Sequence, residues 1–401
     1  MTHLPRVRMT GPLAPYRDVL WAELLGRGYA PLSARNLMRV AAHLSRWLGE
    51  GQRSPSDLTA ERIEAFLRHR RACGYTCWRT PKGLAPILDA LRIFGAVPAA
   101  EPAPVDSSAS GQLLRDFERY LLEERGIRSN TAAGYLRLVQ PFVEGLRLSH
   151  LSELEQLSAE VVSRFILHEA RSSSVGYLKL KVTALRSFLR YLHIRGLCRD
   201  LAAAVPAVAG YRLSGLPKSI LEEDVRRIEK TCDRATAKGR RDYAILLLLS
   251  RLGLRAREVA ALTLEDVHWA RGEVLVRGKG SEGALPLPHE VGEALADYLR
   301  EGRPDSTSRR IFLQVPAPHR ALSTAGVKMV VRQASRRAGL RPIGSHRLRH
   351  TAATSMLRRG VSLPDIAQVL RHRSLATTAI YAKVDQQTLR TLARPWPGGA
   401  A

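Results

Sequence analysis

The sequence predicts a multidomain, mainly α chain: two all-α segments, then a mixed, mainly α segment carrying a small antiparallel β-sheet. Three observations predict this. Two stretches without periodicity and rich in Pro, Ala, Ser or Gly, 98–111 and 206–217, read as linkers. Residues ahead of the second linker repeat at a near-constant offset of 98 to 101 positions, so that one helical pattern occurs twice. Beyond it, a Gly-Lys-Gly-Ser-Glu-Gly run between two short apolar stretches reads as a β-hairpin. The expected division is 1–97, a linker 98–111, a second helical segment 112–205, a linker 206–217, a mixed segment 218–390 and a tail 391–401.

In the first segment, Gly28-Tyr29-Ala30-Pro31-Leu32-Ser33 precedes a helical pattern, and Ser33 is a reasonable N-cap. In the second, Gly126-Ile127-Arg128-Ser129-Asn130-Thr131 stands in the corresponding place. Leu58-Thr59-Ala60-Glu61 then matches Leu157-Ser158-Ala159-Glu160, and Phe66 matches Phe165. Leu84, Ile87, Leu88, Leu91 and Gly95 match Leu185, Phe188, Leu189, Leu192 and Gly196. Apolar spacing alone recurs in unrelated amphipathic helices. The agreement of punctuating Gly and Ser/Thr positions favours two copies of one small helical domain.

The third segment opens with an apolar helix over Asp242–Leu252. Glu273–Val276 and Ala284–Leu287 are the hairpin strands, and Ile311–Val315 is a further strand candidate. Helical patterns follow at Ser323–Ala338, Ser345–Arg359, Leu363–Arg371 and Leu375–Ala382.

Lys and Arg number 63 against 37 acidic residues, a net charge of +26. Such an excess repels itself and makes most sense beside a polyanion. Nucleic acid is the natural partner, since neutralising phosphates releases counterions. An Arg- and Ala-rich composition also suits a GC-rich genome. The cysteines Cys73, Cys77, Cys198 and Cys232 form no paired C-x-x-C set, which argues against structural zinc and for free thiols in a reducing compartment. The N-terminus has no signal-like apolar core, and the longest aliphatic run, Ala244–Leu249, is too short for a bilayer. The expectation is a soluble cytoplasmic protein without a membrane partner.

The chemistry gathers in Ser345-His346-Arg347-Leu348-Arg349-His350-Thr351. On a helix, His346, Arg349 and His350 share one face and can hold a phosphate. Gly253-Leu254-Arg255-Ala256-Arg257-Glu258 lies upstream, and Leu370-Arg371-His372 and Thr377-Thr378-Ala379-Ile380-Tyr381 lie downstream. Taken singly, Arg255 reads as a solvated surface charge, Lys279 as an exposed hairpin tip and Tyr381 as a core residue. His346 and His350, with His372, also have the spacing of zinc ligands, although Arg349 between them would repel a cation.

In this order the motifs resemble the catalytic signature of the tyrosine recombinase (phage integrase) family. The G-L-R-x-x-E motif is matched by Gly253, Leu254, Arg255 and Glu258. The hairpin lysine is matched by Lys279, H-x-L-R-H by His346, Leu348, Arg349 and His350, L-G-H by Leu370 and His372, and T-T-x-x-Y by Thr377, Thr378 and Tyr381. The resemblance is strong over the third segment and looser over the second, through Glu124–Tyr135, where it implies a SAM-like core-binding domain. The first segment lies outside it. Arg371 stands where the family usually has Gly, and Arg257 where a small residue is common.

The resemblance implies the roles. Tyr381 is the nucleophile, and Arg255 and Arg349 are planar forks for the phosphate oxygens, where charge builds in the transition state. His346 is the base, Lys279 the acid for the 5′-hydroxyl, and His372 a hydrogen-bond donor to the scissile phosphate. Glu258 and His350 support the others. No cofactor is implied, because a phosphotyrosyl bond keeps the phosphodiester's energy without ATP or metal. The implied partner is double-stranded DNA at a specific site, bound by a homotetramer on two sites, with partner recombinases or accessory proteins as further candidates. The alternatives are a housekeeping recombinase resolving chromosome dimers, a type IB topoisomerase, and a non-catalytic DNA-binding regulator of the same fold.

Overall fold

A computed structural model of the chain describes residues 7–99, 106–209, 218–278, 282–372 and 374–384. The turn holding Lys279, the middle of the first linker, most of the second linker and the tail lie outside the described residues. The chain divides into two compact units, 1–100 with 215–401, and 101–214.

Residues 7–99 form α1 (Arg17–Gly26), α2 (Pro31–Glu50), α3 (Ala60–Ala72) and α4 (Pro81–Ile93) around an apolar core that includes Leu20, Leu24, Met38, Leu44, Phe66 and Leu91. The unit 101–214 holds α5 (Ala109–Arg119), which continues as a π-helical turn over Tyr120–Glu124. α6 (Ser129–Leu146), α7 (Ala159–Ser172) and α8 (Val175–Ile194) follow. Its own core includes Phe117, Val139, Phe142, Ile166, Phe188 and Leu192.

The paired sequence features fall at paired places. Thr59 and Ser158 cap α3 and α7, accepting from the Arg62 and Val161 amides. Gly28 and Gly126 precede α2 and α6, and Gly95 and Gly196 follow α4 and α8, all four at positive φ. Ser33 is not a cap: Pro31 opens α2 after Ala30, and Ser33 lies inside the first turn. Pro fits there because its missing N–H has no partner in a helix's first turn anyway. Ser129 likewise sits at the first position of α6, after Arg128.

The remaining residues run α9 (Glu222–Lys230), α10 (Ala237–Ser250), α11 (Ala256–Ala261), β1 (Val267–His268), β2 (Glu273–Arg277), β3 (Glu282–Pro286), α12 (His289–Glu301), α13 (Thr324–Arg337), α14 (Ser345–Arg358), α15 (Leu363–Val369) and a single turn, α16 (Leu375–Thr378). A 3-10 turn, Ala379–Val384, ends the described chain. The sheet is antiparallel, in the order β1-β2-β3, with Val274 opposite Leu285 and Arg277 opposite Glu282. The predicted hairpin is present, and β1 adds a short edge that the sequence pattern does not mark.

Ile311–Val315 is not a strand. Thr263 bridges Arg310 and Leu313 bridges Ala321, each singly. Pro316 and Pro318 follow at once, and proline has no N–H for a ladder. The buried helix is present but begins and ends earlier than the apolar run Asp242–Leu252 suggests, over Ala237–Ser250; Ala244 to Leu249 of α10 are all within 1 % of full burial, and α10 packs against α12, α13 and α14. Each such leucine is worth roughly 1.5–3 kcal/mol in burial. α10 is therefore a rigid post, and the loop after it is fixed in place.

Candidate active site

The site is built where the end of α10, the start of α14 and the end of α15 meet. α10 gives way to Gly253, at φ +59°. A Cβ there would stand 2.6 Å from Leu370 Cδ2, so the turn needs glycine for its backbone and for its space. The chain then reaches Arg255, which flanks α11, and one turn later Glu258.

Glu258 is the hub of the first cluster. Its Oε2 accepts the Arg255 amide at 2.8 Å and Arg371 Nη2 at 2.7 Å, and its Oε1 accepts Arg255 Nη1 at 2.8 Å. Its side chain is 2 % exposed. Burial works to raise the carboxyl, but the Arg255 amide and the Arg371 and Arg255 guanidiniums outweigh it and hold the group below its usual range. The Arg255 fork is thereby held at one end, while its side chain keeps 36 % exposure.

α14 supplies the second cluster. Arg349 is buried and donates to the carbonyls of Gly253 and Leu370, joining the α10–α11 turn to the end of α15. Burial first, then Arg255, lowers its guanidinium to about 10, which leaves it charged at neutral pH. His350, the next residue, has Nδ1 2.9 Å from Tyr381 Oη. Burial and then His346 and Arg349 lower its imidazole, so at neutral pH it is uncharged and can accept the phenol's proton. Tyr381 packs beside Ala353, Ile366 and Leu370. Burial pushes its phenol above 10, against the pull of Arg349.

His372 Nδ1 lies 2.7 Å from Thr378 Oγ1, in the turn that leads to Tyr381. Burial, then Arg349 and Arg255, lower His372 to about 4. His346 stands exposed in the first turn of α14, lowered by partial burial and by Arg349, Lys328 and Arg255.

Arg255, Glu258, Arg349, His350, His372 and Tyr381 are thus joined in one locus by bonds among themselves or to Gly253, Leu370 and Thr378. His346 shares the α14 face of Arg349 and His350. Lys279 lies outside the described residues. The contact to the phenol falls on His350, which the sequence reading makes a supporting residue, and not on His346. The sequence reading also missed the Arg371–Glu258 pair and the Thr378–His372 bond. Arg371 left a trace in the motif, as a large residue in a glycine's place. Among the described residues, the His/Cys/Asp/Glu group close enough to share a metal is His43, His69 and Cys73, far along the chain from this site. Arg70 Nη1 lies 2.9 Å from His43 Nδ1 there, which sets a cation against any metal.

The Phage integrase family profile matches residues 218–388, and the phage integrase N-terminal SAM-like domain profile matches 114–196. A relative from Sinorhizobium fredii, y4rA, named as an integrase/recombinase, is 41% identical over 97% of this chain and 96% of its own length. The chain belongs to the phage integrase family. It is a tyrosine recombinase, a site-specific recombinase with a SAM-like helical domain before its integrase domain. Tyrosine recombinase XerD of Listeria monocytogenes is 29% identical over 69% of this chain and 96% of its own length. The fold is also similar to that of a lambda integrase tetramer bound to a Holliday junction, with TM-score 0.53, 17% identity, and coverage of 80% of this chain and 90% of that one.

Proposed function

We propose that this recombinase cleaves and rejoins double-stranded DNA at a specific site through a 3′-phosphotyrosine on Tyr381. The observation that carries the reading is that Arg255, Arg349, His372 and Tyr381, far apart in sequence, are tied into one locus by Glu258, Gly253, Leu370, Thr378 and His350. Tyr381 Oη attacks the scissile phosphorus, and the O5′ bond breaks. Charge building on the non-bridging oxygens is met by the two guanidiniums and by His372. The tyrosine proton passes to an imidazole: His346 on the family resemblance, with His350 the one within reach in the free chain. Lys279 protonates the leaving O5′. Attack of a 5′-hydroxyl on the phosphotyrosine reverses the step and rejoins the strand.

We assign the assembly to a homotetramer on two sites, exchanging strands in pairs through a Holliday junction, in the cytoplasm. The lambda integrase neighbour is a tetramer on such a junction. No described helix is long and apolar enough to cross a membrane.

The segment before the SAM-like domain is read as a duplicate of it that contacts DNA beyond the core site. A groove on it is lined by Arg8, Arg39, Arg46 and Arg70 with Tyr75 and Trp78, a cationic and aromatic surface suited to a phosphate backbone. XerD aligns with 69% of this chain, so nearly a third has no counterpart in it. That favours a mobile-element integrase over a housekeeping recombinase.

The test starts from duplex selected by the chain out of a random-sequence pool, then nicked next to the cleavage point. The wild-type chain should form a covalent adduct that survives denaturant, and Tyr381→Phe should form none. Tight binding without an adduct in the wild type would sink the strand-cleavage reading.

A further inference from the structure

Arg371 occupies the glycine position of the L-G-H motif with a left-handed backbone, φ +51°. A non-glycine residue there is uncommon and strained, and such strain persists where the surroundings impose it. The side chain is 8 % exposed. Nη2 holds Glu258 at 2.7 Å, while Nε and Nη1 are buried with no hydrogen-bond partner among the described residues. Unmade bonds on a buried charged group are costly. Three guanidiniums, Arg255, Arg349 and Arg371, thus crowd one carboxylate, leaving two positive charges in excess; Arg371 and Arg255 each help to depress Arg349.

We propose that Arg371 is a positioning residue of strand cleavage, which holds Arg255 through Glu258 and keeps a buried positive charge that the scissile DNA phosphate neutralises. This rests on the strand-cleavage reading above. Two features separate it from an ordinary structural ion pair. Glu258 already has the Arg255 guanidinium and amide, so Arg371 is more than its charge balance requires. Its free edge lacks an acceptor among the described residues, and the anion that the reaction brings supplies the missing charge. The site then binds a charged phosphate better than a neutral one, at no cost in exposed surface.

The experiment uses the full chain and the nicked duplex selected above, in two forms: one with the natural scissile phosphate, the other with a methylphosphonate there, which lacks the negative charge. Arg371→Gly keeps a fold-compatible residue at φ +51°, and its melting temperature is measured alongside to confirm folding. On the natural phosphate, Arg371→Gly should slow adduct formation by roughly 10–100-fold, the loss expected when a hydrogen bond between charged groups is removed. Arg371→Lys, which keeps the charge, should recover most of it. On the methylphosphonate, the gap between wild type and Arg371→Gly should shrink to a few-fold. Three results would overturn the proposal: Arg371→Gly within about threefold of wild type, Arg371→Lys as slow as the glycine variant, or equal losses on both substrates. An absent adduct in the wild type itself would instead remove the reading beneath it.

Discussion

Tyr381 is 1 % exposed and hydrogen-bonded to His350, so in the free chain the nucleophile is held inside a packed cluster. Its phenol is raised by burial, and the histidine beside it is lowered. Removing the hydroxyl in Tyr381→Phe should therefore abolish the adduct at a stability cost of only about 1 kcal/mol, seen in a denaturant melt. Two histidines should make stability fall in acid. His43 and His372 are both lowered from 6.5 to about 4, each by burial first, then mainly by Arg70 and by Arg349 respectively. The unfolded chain binds more protons between those values, so stability is full above about 6.5 and is lost as pH falls toward 4. Melting temperature should drop between pH 7 and pH 5, and His43→Gln should drop less. A flat profile would show that these rings protonate freely in the fold. At this scale the residue types were legible: Arg255, Arg349, His372 and Tyr381 sit together as their motifs require. Which histidine meets the phenol was not, because His346 and His350 share a face and differ by one turn.

The elements that aim these side chains depend on a few backbone positions. Gly253, in the turn after α10, takes a left-handed conformation that strains other residues and lies under Leu370. Gly253→Ala should cost about 1–3 kcal/mol and displace both Arg255 and the carbonyl that holds Arg349. Adduct formation should fall further than the melting temperature alone explains. An alanine variant with wild-type cleavage would show that the turn has slack. The helices and the hairpin were legible because period and turn residues mark them. The Ile311–Val315 strand failed because an apolar run shows only that a segment is buried. Two prolines and the lack of a neighbouring strand left it with single bridges. Ser33 failed as a cap because Pro31 opens the helix two residues earlier.

For the molecule as a whole, a net charge of +26 makes binding to a polyanion strongly salt-dependent. If the groove on the first segment follows the DNA backbone, replacing Arg39 and Arg46 by Gln should flatten log K against log salt by about 1–2 units. Adduct formation at saturating DNA should be unchanged. An unaltered slope would take the groove off the DNA path. The sequence by itself determined the family, the order of the helical and mixed segments, and the residue types of the site. Those follow from period, charge and motif order, which are local or one-dimensional properties. Tertiary structure decided which groups are paired. Glu258 is shared by Arg255 and by Arg371, which lies 113 positions further along the chain than Glu258. His350 takes the phenol, and Arg349 gives one N–H from each Nη to a backbone carbonyl, which leaves three of its five for the phosphate. Such pairings depend on distances of a few ångströms between segments that only the packed core of α10, α14 and α15 brings together.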